Sequence, residues 1–331
     1  MKIHIKNLSV IILLVLTFLV IFVPLTYNFY NNTNNDPYHI AFIRLKEGGQ
    51  FWSTMRNGAR TARTETGCIV DFYSGVMASD VSSQCEFVEE AIKNSVDCII
   101  ITPCNSVLME EPLKKAAKAN IKVIQLLNET TRKDNTFTNT IIHSYMTNAK
   151  IVGISLAQSL LTENRSQNLN VVIVGSSEYI SSEKQMEEGI RETLSKESSI
   201  TTDSMYVGYD SIKIKEKVKL YLQKNKHTNM IIALNNDTSE AILNILKQTN
   251  KNHDIQFIAY SHSLTNIESL ETGIVDKILV VNSFAMGYQA IYAAIDLLNN
   301  VPITNAPIDY AIVTKENMFN PKIQRKLFPL I

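Results

Sequence analysis

Aromatic and polar side chains follow several short apolar runs of this chain, and their types suit ligand binding. Phe51 and Trp52 come after one such run and a Gly48-Gly49 pair, and Trp52 is the only tryptophan of the chain. Aromatic rings bury a large flat surface, so two adjacent rings could form a platform for a flat ligand. Each ring could equally cap the core beneath its loop, and the sequence leaves the two interpretations open.

Amide and carboxylate side chains stand at further strand ends. Asn105 and Asn128 each follow an apolar run, and Asn235, Asn236 and Asp237 follow another. Ligands of open α/β sheets bind outside the carboxyl ends of the strands, but the same residue types also cap helices. For Asn105, capping is the preferred interpretation. A helix cap needs only one polar side chain, and the group at 235–237 has three. A ligand role therefore stays open for this group.

Motifs typical of catalysis do not occur at the predicted strand ends. No GxSxG, GxxxxGK[ST] or GxGxxG motif follows a predicted strand. The six histidines lack metal-ligand spacing and a cysteine partner. The turn at residues 175–178, Gly-Ser-Ser-Glu, could hold a phosphate at a helix start, although an ordinary loop is the simpler interpretation. We therefore predict no enzyme, no metal and no cofactor.

Composition excludes some partners. Lys+Arg and Asp+Glu are both 32, so the formal net charge is zero, and no basic stripe indicates nucleic acid. Four cysteines in 331 residues do not form a disulfide scaffold. One bridge among them is possible, but the sequence does not choose it.

Strand-like and helix-like segments alternate from residue 38 to residue 313. This alternation predicts an α/β fold with parallel sheets built from right-handed βαβ units. About ten strands are too many for one small open sheet, and the pattern restarts after Thr140. We therefore predict two doubly wound lobes, each covered by helices on both faces.

The amino-terminal region carries an uncharged apolar run over residues 7–27. As a helix it would span roughly 30 Å, the thickness of the hydrocarbon core of a membrane. Lys2 and Lys6 precede it, which favours a cytoplasmic amino terminus. We predict a cytoplasmic tip at 1–6, a transmembrane anchor at 7–27 and a linker at 28–37, with the bulk of the chain outside the cell. The alternative is a signal peptide cut at an unrecognised site.

Several segments in order resemble one known family. The segments are 51–59 (FWSTMRNGA), 91–103 (AIKNSVDCIIITP), 116–124 (AAKANIKVI) and 255–260 (IQFIAY). They resemble the type I periplasmic sugar-binding family, which includes ribose- and xylose-binding proteins and their repressor relatives. The resemblance covers about residues 38–319. It implies a sugar or sugar-like ligand held between two lobes.

The resemblance also implies site residues and shows departures from them. Phe51 and Trp52 match the stacking aromatics of the family, Tyr209 matches a ring from the second lobe, and Asn236 matches an amide after a later strand. Asn282 stands where the family has a hinge-side Gln. The usual Asp-Arg pair is replaced by Leu127-Asn128, and an Arg by Met186, which puts the ligand in doubt because charged groups form the stronger hydrogen bonds. The site expected from all arguments together contains the following residues: Phe51, Trp52, Asn105, Asn128, Tyr209, Asn236, Asp237 and Asn282.

Lobe boundaries and a role follow from the same resemblance. We expect a first lobe of residues 38–143 plus 283–306 and a second of 144–282 plus 307–331, closing like a hinge. A fixed membrane helix suits a receptor that reports its closure to a neighbour, and related anchored proteins work beside sensor histidine kinases. The alternative is the substrate-binding component of a sugar ABC transporter, working with its permease. An enzyme on this fold is the least favoured possibility.

Overall fold

The structure, a computed structural model, describes Phe18 and residues 36–131, 142–163, 168–249 and 255–328. The chain divides into two compact units, Met1–Tyr38 and His39–Ile331. All elements below belong to the second unit. Apart from Phe18, the predicted membrane segment 7–27 lies outside the described residues. Within the described part of the chain, no helix is long and apolar enough to cross a membrane.

The first lobe is built on a parallel five-stranded sheet with the order β2-β1-β3-β4-β5. The strands are β1 (His39–Arg44), β2 (Ile69–Ser74), β3 (Cys98–Ile101), β4 (Lys122–Leu126) and β5 (Ile142–Tyr145). Its connecting helices are α1 (Gln50–Thr66), α2 (Val81–Lys93) and α3 (Glu110–Lys118).

The second lobe is built on a six-stranded sheet with the order β11-β10-β9-β8-β6-β7. The strands are β6 (Leu169–Gly175), β7 (Ile200–Tyr206), β8 (Met230–Ala233), β9 (Gln256–Tyr260), β10 (Lys277–Val281) and β11 (Tyr310–Val313). All neighbours are parallel except β10 and β11, which are antiparallel. The remaining helices are α4 (Ala149–Glu163), α5 (Ser181–Leu194), α6 (Ser211–Lys224), α7 (Asn236–Thr249), α8 (Leu264–Glu271), α9 (Ser283–Leu298) and α10 (Pro321–Leu327).

The central strands are apolar on both faces. β3, β8 and β10 are buried along their whole length. This is the pattern of parallel strands covered by helices on both sides. The predicted two-lobed α/β architecture with parallel sheets is therefore confirmed.

Helix α9 returns the chain to the first lobe, because it follows β10 of the second sheet but packs against α1. The two helices cross closely at Gly287, where an added Cβ would lie only 1.9 Å from the carbonyl oxygen of Met55. Glycine is required there, since any side chain would separate the helices. β5 pairs with β4 through Tyr145, two residues beyond the predicted boundary at 143. The lobe boundaries themselves stay a prediction.

Strand β5 and the short helices α8 and α10 were not predicted from the sequence. Helix α8 has only eight residues, too few to be stable by propensity alone. It is held by side chains, since Ser263 Oγ accepts a hydrogen bond from Asn266 N at 3.3 Å and Asn266 Nδ2 donates to the carbonyl oxygen of Tyr260 at 3.0 Å. Contacts of this kind cannot be inferred from hydrophobic periodicity.

Candidate ligand-binding site

A cavity lies between the carboxyl ends of the two sheets and is lined by residues of both lobes. The centres of water molecules can occupy about 70 Å³ of it, so the cavity has room for several waters. Six of the predicted site residues lie in its wall: Phe51, Trp52, Asn128, Tyr209, Asn236 and Asp237. The cavity therefore suits one small solute.

Aromatic rings from both lobes line the cavity. Phe51 and Trp52 are buried and meet edge to face, with ring centroids 4.9 Å apart. The ring of Tyr260, at the end of β9 in the second lobe, lies 6.3 Å from Phe51. Such an arrangement offers a large apolar surface whose tyrosine hydroxyl adds one polar group.

The loop between β1 and α1 positions these rings. Gly48 and Gly49 have φ angles of 75° and 73°, a left-handed conformation that glycine adopts without strain. The buried Arg44 guanidinium donates to Glu47 Oε2 at 2.6 Å and to Ser74 Oγ at 3.2 Å, which ties the loop to β2. Burial lowers the pKa of the Arg44 guanidinium, and the adjacent carboxylate of Glu47 compensates its charge.

Leu127 and Asn128 follow β4 and differ in their roles. Leu127 lines the cavity with a φ of 64°, a left-handed conformation that costs a branched residue roughly 1–2 kcal/mol. Asn128 is buried; its Nδ2 donates to the carbonyl oxygen of Pro103 at 3.0 Å, and its Oδ1 accepts from Ser182 N at 3.2 Å. Asn128 thus joins the first lobe to the start of α5 in the second.

Glu183 is a buried carboxyl group in the cavity wall. Its oxygens accept hydrogen bonds from Ser176 N at 2.6 Å, Ser176 Oγ at 2.8 Å and Asn235 Nδ2 at 2.8 Å. Burial raises the pKa of the Glu183 carboxyl, against the effect of these donors. A Cβ at Gly175 would lie 2.7 Å from Glu183 Oε2, so glycine makes room for the carboxyl group. The turn considered for a phosphate therefore holds an acidic group of the chain itself.

The three polar residues after β8 have three different roles. Asn235 Oδ1 accepts from Thr238 N at 2.9 Å and so caps α7. Asn236 Nδ2 donates to Glu240 Oε1 at 2.9 Å, whereas its buried Oδ1 has no partner among the described residues. Asp237 pairs with a lysine of the other lobe, described next. Of these three side chains, only Asn236 has an acceptor oxygen without a donor among the described residues, and that oxygen is shielded from solvent.

An ion pair crosses the cavity between the two lobes. Lys46 Nζ, after β1, lies 2.6 Å and 2.7 Å from the two carboxylate oxygens of Asp237, at the start of α7. The side chains are 22% and 29% exposed. Because each residue belongs to a different lobe, this pair can form only when the lobes are close together.

Other contacts between the lobes also form only when the lobes are close together. Ser106 N donates to the carbonyl oxygen of Tyr179 at 2.8 Å, and Glu129 N donates to Ser181 Oγ at 2.7 Å. Gln185 Nε2 also donates to Glu129 Oε1 at 3.0 Å. Together with the ion pair and the Phe51–Tyr260 contact, these bonds indicate a closed arrangement of the lobes.

Tyr209 supplies a ring from the loop after β7, as expected from the sequence. Burial raises the pKa of its hydroxyl, which lies near Ser177. The ring therefore presents an uncharged hydroxyl group to the cavity at neutral pH.

Asn105 and Asn282 lie outside the cavity lining, and both use their side-chain oxygens in bonds to the backbone. Asn105 Oδ1 accepts from Val107 N and Leu108 N at 2.9 Å and 2.8 Å, in the turn that leads to α3. Asn282 Oδ1 accepts from Ala285 N at 3.1 Å and caps α9. The sequence favoured a helix cap for Asn105, whereas α3 has Met109 at its N-cap and Asn105 stabilises the turn ahead of it.

The sequence missed several residues of the cavity wall. They include Lys46, Leu127, Ser176, Glu183 and Tyr260. Ser176 and Tyr260 stand at or directly after the ends of strands, which is a signal that could have found them. Glu183 lies inside α5, where an acidic residue near a helix start is common without any ligand role.

Comparison with protein families gives one match that covers most of the chain. Residues 40–301 match the family described as "Periplasmic binding protein domain". The chain is 31% identical over 91 residues to a D-ribose/D-allose-binding protein of Pseudomonas aeruginosa. That alignment covers 27% of this chain and 28% of the relative, so it spans less than a third of either protein.

Solved structures share the fold at low sequence identity. An ABC transporter solute-binding protein from Agrobacterium vitis, with α-D-tagatopyranose bound, has a TM-score of 0.79 and 20% identity over 87% of this chain and 98% of that chain. A second such protein from Agrobacterium vitis, with D-fucose bound, has a TM-score of 0.80 and 19% identity over 87% and 99%. A sugar transporter protein from Clostridium phytofermentans has a TM-score of 0.73 and 20% identity over 85% and 100%.

Proposed function

Because this chain belongs to the periplasmic binding protein domain family, we propose that it is an extracytoplasmic receptor whose lobes close on a small solute. One observation carries the proposal: a cavity lined by both lobes lies where direct bonds already hold the lobes together. A solute in that cavity contacts both lobes and so favours the closed state over the open one.

We propose a sugar or sugar-like solute. The relative that binds D-ribose or D-allose and the solved structures with bound monosaccharides support this class. The rings of Phe51 and Trp52 add support, because an apolar platform suits one face of a sugar ring. Asn128, Tyr209 and Asn236 are proposed to contact the polar side of the solute.

Tryptophan fluorescence of the full chain in detergent micelles tests this proposal, since the only tryptophan lines the cavity. Titration with D-ribose, D-allose, D-tagatose and D-fucose should give a saturable change in emission with at least one sugar. Phe51→Ala should weaken that binding tenfold or more. Phe319→Ala, at an exposed ring, should leave it unchanged. No saturable change with any sugar would refute a sugar receptor.

We further propose that residues 7–27 anchor this receptor in the membrane and that it signals to a sensor histidine kinase. The uncharged apolar run supports the anchor, and a permanent anchor suits a receptor that reports to a membrane neighbour. The alternative is the substrate-binding component of an ABC importer. The solute-binding relatives favour this alternative, as two of them are described as ABC transporter proteins.

Two measurements separate these roles. If the anchor stays uncut, the full-length protein should remain in washed membranes with its amino-terminal residues intact. A soluble mature protein that lacks about thirty residues would refute the anchor. If a sensor histidine kinase is encoded beside this gene, the bound sugar should change the rate of its autophosphorylation in liposomes that contain both proteins. Sugar-dependent ATP hydrolysis by a neighbouring permease complex would favour import instead.

A further inference from the structure

Part of the polar wall of the cavity is already engaged within the chain. The amide of Asn128 uses its nitrogen on Pro103 and its oxygen on Ser182. The carboxylate of Asp237 accepts twice from the Lys46 ammonium group. An amide nitrogen has a second N–H and a carboxylate oxygen a further lone pair, so these groups can still bind a solute hydroxyl, but only in the directions that the existing bonds leave open.

The carboxyl group in the wall is engaged in the same way. Glu183 accepts hydrogen bonds from Ser176 and from Asn235. The Nδ2 group of Asn235 also donates to Ser176 Oγ. The exception is Asn236, whose buried Oδ1 has no partner among the described residues. A buried carbonyl oxygen without a donor is unfavourable. The atom is shielded from solvent in the closed arrangement, so a solute donor reaches it only after a shift of the Asn236 side chain, and it then makes a bond that the protein alone lacks.

Besides the hydroxyl groups of Tyr209 and Ser182, the remaining wall is largely apolar, including positions at strand ends where a polar side chain could bind a sugar hydroxyl. Leu45, Leu127 and Leu234 follow strands β1, β4 and β8, and Ile180 precedes α5. Tyr260 adds its ring beside them. Every hydroxyl of a solute that faces these side chains loses its water and finds no partner.

Charge restricts the solute further. Lys46 is the one cation in the described cavity wall, and it is paired with Asp237. The remaining ionisable acid, Glu183, already has three close donors. An anionic solute would meet no free cation, and a cationic one would meet no free carboxylate.

Building on the proposed function, we infer that the cavity selects a neutral sugar that lacks at least one hydroxyl group of a common pentose or hexose. One face of this sugar is apolar and packs on the aromatic and aliphatic wall. One hydroxyl of its polar face donates to Asn236 Oδ1. A fully hydroxylated sugar binds less tightly because at least one of its hydroxyls is buried without a partner.

Matched sugars that differ by one oxygen atom test this inference on the full chain, with Trp52 fluorescence as the readout. The pairs are D-fucose with D-galactose, L-rhamnose with L-mannose, and 2-deoxy-D-ribose with D-ribose. We expect the deoxy sugar to bind at least fivefold more tightly in the pair that binds best. If the hydroxylated sugar binds equally or more tightly in that pair, the inference is wrong and the proposed sugar receptor stands. If no sugar of any pair binds, both fail.

Variants connect the preference to particular residues. Asn236→Ala should weaken binding of the preferred sugar tenfold or more, whereas Asn244→Ala, on the exposed face of the same helix, should not change it. Leu127→Asn adds an amide to the wall at a left-handed position that asparagine tolerates. It should move the preference within a pair toward the hydroxylated sugar by fivefold or more. An unchanged preference in Leu127→Asn, or equal binding by the two asparagine variants, would overturn the assignment.

Discussion

The ion pair between Lys46 and Asp237 should act as a latch that favours the closed state before any solute binds. Lys46 lies after the first strand of one lobe and Asp237 at the start of a helix of the other, with two N–O distances of 2.6 Å and 2.7 Å. The perturbation is Lys46→Met, which keeps most of the length of the side chain and removes its charge. The variant then has no attraction between these two positions, and opening becomes easier.

The size of the effect follows from the exposure of the pair. The side chains are 22% and 29% exposed, so the pair lies between two known cases. Fully exposed pairs contribute about 0.2–1 kcal/mol, and breaking a buried pair costs about 3–5 kcal/mol. We expect about 1–2 kcal/mol here, which raises the open fraction by a factor of about 5–30.

Hydrogen–deuterium exchange measures this change, because two backbone amides donate across the gap between the lobes. Ser106 N donates to Tyr179, and Glu129 N donates to Ser181. Both bonds must break when the lobes separate, so the exchange rates of the amides report the open fraction. In Lys46→Met, both amides should exchange about 5–30 times faster than in the wild type.

Controls separate the latch from a general loss of stability. Lys115→Met removes an ion pair with Glu89 that lies within the first lobe, and it should leave the exchange of Ser106 and Glu129 unchanged. The charge exchange Lys46→Asp with Asp237→Lys should restore much of the protection. If Lys46→Met exchanges at the wild-type rate, or if Lys115→Met accelerates the same amides equally, the latch is refuted.

Three further outcomes concern stability. Gly287→Ala should lower the free energy of unfolding by about 2 kcal/mol or more, because its Cβ would meet the Met55 carbonyl oxygen at 1.9 Å; the exposed Gln289→Ala should change it little, and equal melting temperatures for the two variants would contradict this. Glu183 has a raised pKa because it is buried, so the folded chain holds its proton more tightly than the unfolded chain, and stability falls as pH rises above about 4.3. The melting temperature of the wild type should therefore fall relative to that of Glu183→Gln as pH rises from that value, and parallel curves would count against the shift. Burial lowers the pKa of His262, and neither ring nitrogen has a partner among the described residues, so stability should fall as pH drops below about 6.5. His262→Leu should remove that loss and leave the melting temperature at pH 8 equal or higher; a variant that melts much lower at pH 8 would show that the ring has a structural partner.

Much of the site could be expected from the sequence because strand ends are a local signal. Four residues of the cavity wall follow apolar runs, and all four lie at the edge where the parallel strands end: Phe51, Trp52, Asn128 and Asn236. The partners of these residues could not be expected. Asn128 and Asn282 have the same side chain and both follow strands, but one lies in the cavity wall and the other caps α9.

The sequence by itself determined the alternation of strands and helices, the two lobes and the family, because hydrophobic periodicity and short motifs are properties of neighbouring residues. Only the tertiary structure decided that Lys46 meets Asp237, that Glu183 is buried against Ser176, and that Asn236 has an acceptor oxygen without a donor among the described residues. The physical reason is that these pairings depend on how one lobe faces the other. Residues 46 and 237 are 191 positions apart, and no local pattern specifies a contact across that distance.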